Sequence, residues 1–399
     1  MRLVIAFFLL MGLTPVRAQD TQPLSIEHTI TSQAFGDERK VTVYLPPNYY
    51  NRPEVRYTVT YVLDGHYAPF IDLVVKTLEY NVNARKITPT IVVGIHARRR
   101  GQEFTMPMSP EAEREGRADA LQQHFRDEVF PLIDSLYPDR QEYRSIIGHS
   151  SGGLFVLHTL FGKAADLFDG YVAISPALRP GNNNILPDAT DRLAQGKPLH
   201  KFLYCSAGTV GEREELFGGA VKRIDALLQS QPDHGLYWEK TIFEGLDHWS
   251  VVGPSVLDGA LRQTRAFRAD MKNIVDFARD GSTPLKERLD AFYAKNKSKY
   301  GFADLPSDRY LRSVSRELER LEHTEQAVAL MEWSLGQYPD NFRLTKEHAM
   351  LLASMGKIGA ARKGFGTCLS LLKRQKEDMD QEVYAANVQD IEERLAKLK

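Results

Sequence analysis

Between Ser25 and Asp270 short apolar runs alternate with longer stretches of mixed polarity. Val41 to Leu45 reads V-T-V-Y-L, and Tyr57 to Leu63 reads Y-T-V-T-Y-V-L. β-Branched and aromatic residues at that length predict strands, closed by Pro46-Pro47-Asn48 and by Asp64-Gly65. Thr90–Ile95, Arg144–Ile147, Gly170–Ile174, Phe202–Ser206 and Tyr237–Phe243 repeat the pattern. From Ala118 to Leu136 the apolar residues change period: Leu121, Phe125, Val129, Leu132, Ile133 and Leu136 share one face of a predicted helix. Gly152 to Phe161 is apolar on every side, as a buried helix is. Near-continuous apolar strands separated by helices predict an α/β architecture, a mostly parallel sheet covered on both faces.

Past Asp270 the strand pattern stops. Asp280-Gly281-Ser282-Thr283-Pro284 reads as a linker, because Gly and Pro punctuate regular structure. Helical spacing then continues to Lys399. Ala327 and Ala361 stand 34 residues apart, with Tyr338-Pro339 and Gly356 between them. That period predicts tetratricopeptide-like helix pairs, and a plain helical bundle is the alternative. The expected organisation is a leader over 1–18, a catalytic domain over 19–278 and a small all-α domain over 284–399.

The leader is read from Arg2, the apolar run Leu3 to Leu13, Pro15 and the small residues of Val16-Arg17-Ala18. This fits a signal peptide cleaved after Ala18. The run is too short for the ~20 residues that span a bilayer, and no Cys at the cleavage site offers a lipid anchor. The mature protein is therefore expected to be periplasmic or secreted. Hydrophobic residues make up 43% and charged residues 26% of 399, with a net charge of -1. A large core follows from the first figure, and the absent basic excess argues against a nucleic-acid partner. Cys205 and Cys368 lie far apart, so neither a disulfide framework nor a Cys-based metal site is expected.

The chemistry centres on Gly148-His149-Ser150-Ser151-Gly152-Gly153, between the strand R-S-I-I and the helix L-F-V-L-H-T-L-F. A strand–turn–helix setting is what a nucleophile elbow needs, with Ser150 projecting from a sharp turn. A serine hydroxyl needs a neighbouring base, and the expected order is serine, acid, histidine. Among His158, His200, His234 and His248, only His248 follows a late strand, in G-L-D-H-W-S. The acid is sought after F-L-Y-C-S. Glu212 comes first there, with Glu214, Glu215 and Asp247 as further candidates. Two backbone donors are expected to hold the oxyanion, one at Ser151 and one from the loop Asp64-Gly65-His66, with Gly65 preferred. Arg99 and Arg100, in the run after T-I-V-V-G-I, are candidates for contact with an anionic acyl group. His149 and Trp249, beside the two reacting residues, are further candidates for substrate contact.

Over Ser25 to Asp270 these residues resemble the Putative esterase family, which includes esterase D and the enterochelin esterases. The matching segments are Y-V-L-D-G, I-V-V-G-I with R-R-R-G-Q-E-F-T-M-P, F-P-L-I-D-S-L-Y-P, G-H-S-S-G-G-L-F, A-I-S-P-A-L and H-W-S-V-V-G-P-S-V-L. The resemblance implies an α/β-hydrolase fold, ester hydrolysis without a cofactor or metal, and the roles given to Ser150 and His248. Siderophore-type or sugar-linked esters are the substrates it suggests. The helical part lies outside it. An acyltransferase with the same acyl-enzyme, or a hydrolase-fold scaffold whose helices dock a protein partner, are the rival expectations.

Overall fold

A computed structural model describes residues 24–47, 49–51, 57–106, 116–137, 143–179 and 184–398. The expected leader lies outside the described residues. Among those described, eight strands form one sheet: β1 (Leu24–Ser32), β2 (Asp37–Leu45), β3 (Thr58–Val62), β4 (Thr90–Ile95), β5 (Arg144–His149), β6 (Gly170–Ile174), β7 (Phe202–Gly208) and β8 (Tyr237–Phe243). Their spatial order is β1-β2-β4-β3-β5-β6-β7-β8. β1 and β2 run antiparallel to their neighbours, and β4 to β8 are parallel throughout. β1 is an edge strand that the sequence reading did not separate out. Its alternation is weak, with Ile26 and Ile30 as its inward apolar residues.

Strand alternation sends successive side chains to opposite faces, and each face has its own core. Tyr61, Ile146, Tyr171 and Leu203 point to one face; Val62, Ile147, Val172 and Tyr204 point to the other. The second face is covered by α1 (Ala68–Asn83) and α8 (Val252–Phe267). Between these in sequence, α2 (Arg100–Glu103) turns beside the sheet's carboxyl end, and α3 (Ala118–His124), α4 (Phe130–Leu136), α5 (Ser151–Phe161), α6 (Leu186–Ala194) and α7 (Glu212–Gln229) follow. α3 to α7 pack on the first face.

The single helix expected over 118–136 carries a π-turn at Phe125–Val129. Pro131 has no N–H for the carbonyl one turn back, and a widened turn accommodates that. His124, on the same turn, is buried and bonded to Glu128, which also accepts the Gln33 and Ala34 N–H groups of the β1–β2 connection.

Seven further helices end the chain: α9 (Met271–Asp280), α10 (Leu285–Tyr300), α11 (Asp308–Arg320), α12 (Thr324–Gln337), α13 (Phe342–Ser354), α14 (Ile358–Arg374) and α15 (Gln381–Lys397). The chain is thus an α/β-hydrolase fold followed by an all-α domain. The boundary differs from the one expected at 278–284. Ile274, Val275 and Ala278 of α9 pack with Leu285, Leu289 and Leu311 in the helical core. Residues 280–284 are an exposed turn joining two helices of that core, with Gly281 at φ +60°, and the junction lies at Arg268–Asp270. There Arg268 Nη2 donates to Lys86 O at 3.0 Å, and Thr88 Oγ1 donates to the buried Asp304 at 2.5 Å. Phe302, from the α10–α11 connection, reaches back into the sheet's second core. Cys205 and Cys368 are buried, carry free thiols and lie in different domains.

Candidate active site

Ser150 stands between the last residue of β5 and the first of α5, at φ 59° and ψ −117°. A non-glycine residue holds that conformation only when its surroundings over-determine it. Here Ser150 N donates to Ile174 O at 3.0 Å, and Ser150 O accepts from Leu154 N at 3.0 Å and Ala177 N at 2.9 Å. The strand and helix press together at the turn. A Cβ on Gly148 would sit 2.3 Å from Gly152 O. Ser150 therefore projects at the N-terminus of an eleven-residue helix, where free N–H groups favour negative charge.

His248 follows β8 and shares a cleft of about 550 Å³ with Ser150. Its ring is buried, and Nδ1–H donates to Glu214 Oε1 at 2.6 Å. Glu214 Oε2 accepts Gly208 N–H at 2.6 Å, and Ser175 Oγ donates to Oε1 at 2.5 Å. Burial pushes the Glu214 carboxyl up, but the bonds from His248, Ser175 and Gly208 outweigh it and hold it below the ordinary value.

The carboxylate at His248 is thus Glu214, and the preference for Glu212 is corrected. Both are on α7, but a helix turns about 100° per residue. Glu212 is exposed at the first turn, whereas Glu214 heads the buried stripe of Phe217, Val221, Ile224 and Leu228. That apolar spacing was the available signal. Glu215 is exposed. Asp247 is turned away, holding Trp249 N, Ser250 N and Ser250 Oγ. Ser175, at φ 41° after β6, is the residue sequence reasoning passed over. It lies in the quoted A-I-S-P-A-L.

Gly65 is the second correction. Its N–H donates to Ile95 O at 2.9 Å, so it cannot also face an oxyanion. The glycine is there for space, since a Cβ would meet Gly94 C at 2.4 Å. The next residue, His66, lines the cleft, and its N–H has no acceptor among the described residues. Ser151 opens α5, so its N–H has no partner within the helix. His158 lies near Asp119, His200 is exposed, and His234 accepts the Leu236 N–H; none of them lines the cleft. Among the described residues, no cluster of His, Cys, Asp and Glu is arranged to hold a metal.

The model of the family described as "Putative esterase" matches residues 32–264, more than half of the chain. The chain belongs to that family. It is 29% identical over 178 residues to the siderophore enterobactin esterase of Emericella nidulans, covering 38% of this chain and 58% of that one. It is 26% identical over 238 residues to the ferri-bacillibactin esterase BesA of Bacillus subtilis, covering 53% and 79%. The chain spans less than two thirds of the first of these relatives. The fold is shared with an IroE-like serine hydrolase from Shewanella oneidensis, at TM-score 0.63 and 20% identity over 78% of this chain and 98% of that one. An uncharacterised protein from Capnocytophaga ochracea matches 92% of this chain and 99% of its own, at TM-score 0.64 and 16% identity. The sheet followed by helices therefore recurs as one arrangement.

In this Putative esterase the cleft wall is itself tightly bonded. Arg100 Nε donates to both oxygens of Asp64, at 2.8 and 2.9 Å, and Nη2 donates to His149 O at 3.0 Å. His149 Nε2–H donates to His248 O at 2.9 Å. Burial, reinforced by the neighbouring His248, pushes the His149 ring down to about 3, so it is neutral at ordinary pH. Arg99 is exposed and outside the cleft lining. Trp249 is 64% exposed at the rim, and Arg213 beside it has no carboxylate partner among the described residues.

Proposed function

We propose that this esterase hydrolyses carboxylic esters through an acyl-enzyme on Ser150. The observation that carries the reading is the His248–Glu214 pair, buried and bonded at 2.6 Å, in the cleft where Ser150 projects from its strained turn. His248 Nε2 takes the Ser150 proton as Oγ attacks the ester carbonyl carbon. Glu214 fixes the Nδ1–H tautomer and stabilises the imidazolium. The N–H groups of Ser151 and His66 hold the developing oxyanion. The C–O bond to the alcohol then breaks, and the proton on His248 leaves with that alcohol. Water, deprotonated by the same His248, releases the acid and restores Ser150.

The substrate proposed is a siderophore-type ester. Two observations support an aromatic, anionic acyl group: the exposed ring of Trp249 and the guanidinium of Arg213, which has no carboxylate partner among the described residues. Arg100 is neutralised by Asp64 and serves that purpose less well. The protein is proposed to act outside the cytoplasm, after cleavage behind Ala18; N-terminal sequencing of exported protein, expected to begin at Gln19, tests this. The α11–α12 and α13–α14 pairs begin 34 residues apart, which supports a tetratricopeptide-like docking role for a protein partner.

The test of the chemistry is hydrolysis of short-chain p-nitrophenyl esters by wild type beside Ser150→Ala. Loss of activity in the variant is expected, and equal rates would remove Ser150 as nucleophile. Adding a competing alcohol separates hydrolysis from acyl transfer, because a transferase would accumulate the new ester.

A further inference from the structure

We infer that His149, with Arg100 and Asp64 behind it, is a strut that positions the backbone of His248. The inference rests on the hydrolase reading above and deepens it. A general base needs two constraints. Its ring must be turned correctly, and its main chain must be held at a fixed distance from the nucleophile. Glu214 and Ser175 supply the first. Nothing in the triad supplies the second.

Leu246 O, two residues before His248, accepts the Thr209 and Val210 N–H groups and fastens this loop to β7, but its tie to the nucleophile turn is one bonded line. Asp64 follows β3, Arg100 opens α2 just after β4, His149 ends β5, and His248 follows β8. These are four positions near the carboxyl ends of strands, far apart in sequence, and three contacts join them in order. Asp64 grips Arg100 Nε with both oxygens, Arg100 Nη2 reaches His149 O, and His149 Nε2–H reaches His248 O. Because His149 precedes Ser150, the last bond ties the nucleophile turn to the base's loop directly. Asp64 keeps a positive φ of 61°. Such a conformation persists only where neighbouring structure enforces it.

The chemistry of each member fits a strut better than contact with substrate. His149 is 4% exposed, and its ring centroid lies 4.5 Å from that of His248. A neutral donor there fixes the loop without adding positive charge beside the imidazolium that forms on His248. Arg100 is a rigid fork, and its Nε–H and one Nη2–H reach fixed acceptors on two different loops. His149 and Arg100, expected from the sequence as substrate-binding candidates, are here positioning residues.

The test compares His149→Leu, which removes the donor, with His149→Gln, whose side-chain amide replaces Nε2–H. Arg100→Met, at the most exposed member of the line, is the third variant, and protects the test against misfolding of His149→Leu. The readouts are kcat and KM on a p-nitrophenyl ester and the rate at which a fluorophosphonate labels Ser150. The expected result is a fall in kcat and in labelling of roughly 10- to 100-fold for His149→Leu, with KM within about twofold. His149→Gln should recover most of that loss, and Arg100→Met should show a smaller fall of the same kind. Unchanged kcat and labelling in His149→Leu and Arg100→Met overturns the strut, as does a change confined to KM, which would mean contact with substrate. Wild type that neither labels nor hydrolyses overturns the hydrolase reading itself, and the strut falls with it.

Discussion

Ser175 and His248 converge on one atom, Glu214 Oε1, at 2.5 and 2.6 Å. A carboxylate oxygen has two lone-pair directions, and both are used. The second oxygen is taken by Gly208 N–H. The Glu214 carboxylate therefore cannot rotate away without leaving three buried donors unsatisfied, so the ring of His248 has one orientation.

Replacing Glu214 by Gln keeps the shape but puts an amide where a charge was. A fall in kcat of about 10³- to 10⁴-fold is expected, as for an amide in place of a triad carboxylate. Glu212→Gln, two residues away and exposed, should stay within about twofold. Steady-state kinetics on one ester decides between them, and the reverse ranking would put the acid back at Glu212.

His149 makes the fold sensitive to acid. Its folded value lies near 3, against 6.5 for the ordinary ring. Between those values the unfolded chain binds a proton that the folded chain refuses. The stability His149 contributes is therefore complete above pH 6.5 and drains as pH falls towards 3, by up to about 1.4 kcal/mol per pH unit. Urea midpoints measured from pH 7 to pH 4 should fall more steeply for wild type than for His149→Gln. Parallel curves would show that His149 takes up its proton without leaving its seat.

Gly65→Ala places a methyl 2.4 Å from the Gly94 carbonyl carbon, which is backbone and cannot turn aside. Two strand ends must separate. A stability loss of about 1–3 kcal/mol is expected, with a fall in kcat, because His66 N–H moves with the same loop. Thermal melts and kcat together check this. A lost melting temperature with unchanged kcat would take His66 out of the oxyanion site.

Arg213→Gln should lower kcat/KM for an aromatic ester bearing a carboxylate or phenolate by roughly tenfold, the value of one charge-assisted contact. The loss for the matching neutral ester should be clearly smaller. Equal losses would remove charge recognition from Arg213, and Trp249 would remain as an apolar rim.

Much of this was legible in the chain. β4 begins and ends where the apolar run T-I-V-V-G-I does, since a strand buried on both faces has no polar position to blur its limits. The sharp turn at Ser150 was legible because it needs glycines at fixed offsets. The place of His248 beside Ser150 in the cleft was legible because it follows the last strand. What stayed hidden depends on how elements meet. The choice of Glu214 over Glu212 turns on where α7 begins, and a shift of two residues reverses it. The fate of the Gly65 N–H turns on the β3–β4 register. The domain junction was placed too late because Gly281 and Pro284 mark a helix–helix turn as readily as a linker. The boundary was set instead by which core received Ile274 and Val275.

Phe302 has a consequence for how the chain comes to be made. It lies beyond α10, yet its ring sits 4.4 Å from Tyr143 and packs with Phe267 under the sheet. The family's matching segment ends at residue 264. A nascent chain extended only that far has Ser150, Glu214 and His248 but lacks Phe267 and Phe302, the two rings that pack on Tyr143 at the head of β5. The sheet's second core is therefore expected to close only once the α10–α11 connection has been made. A protease that trimmed the chain at the 280–284 turn would leave a wet hollow where Phe302 had been. The tail is in that sense the catalytic half's last stave, and the two should melt as one.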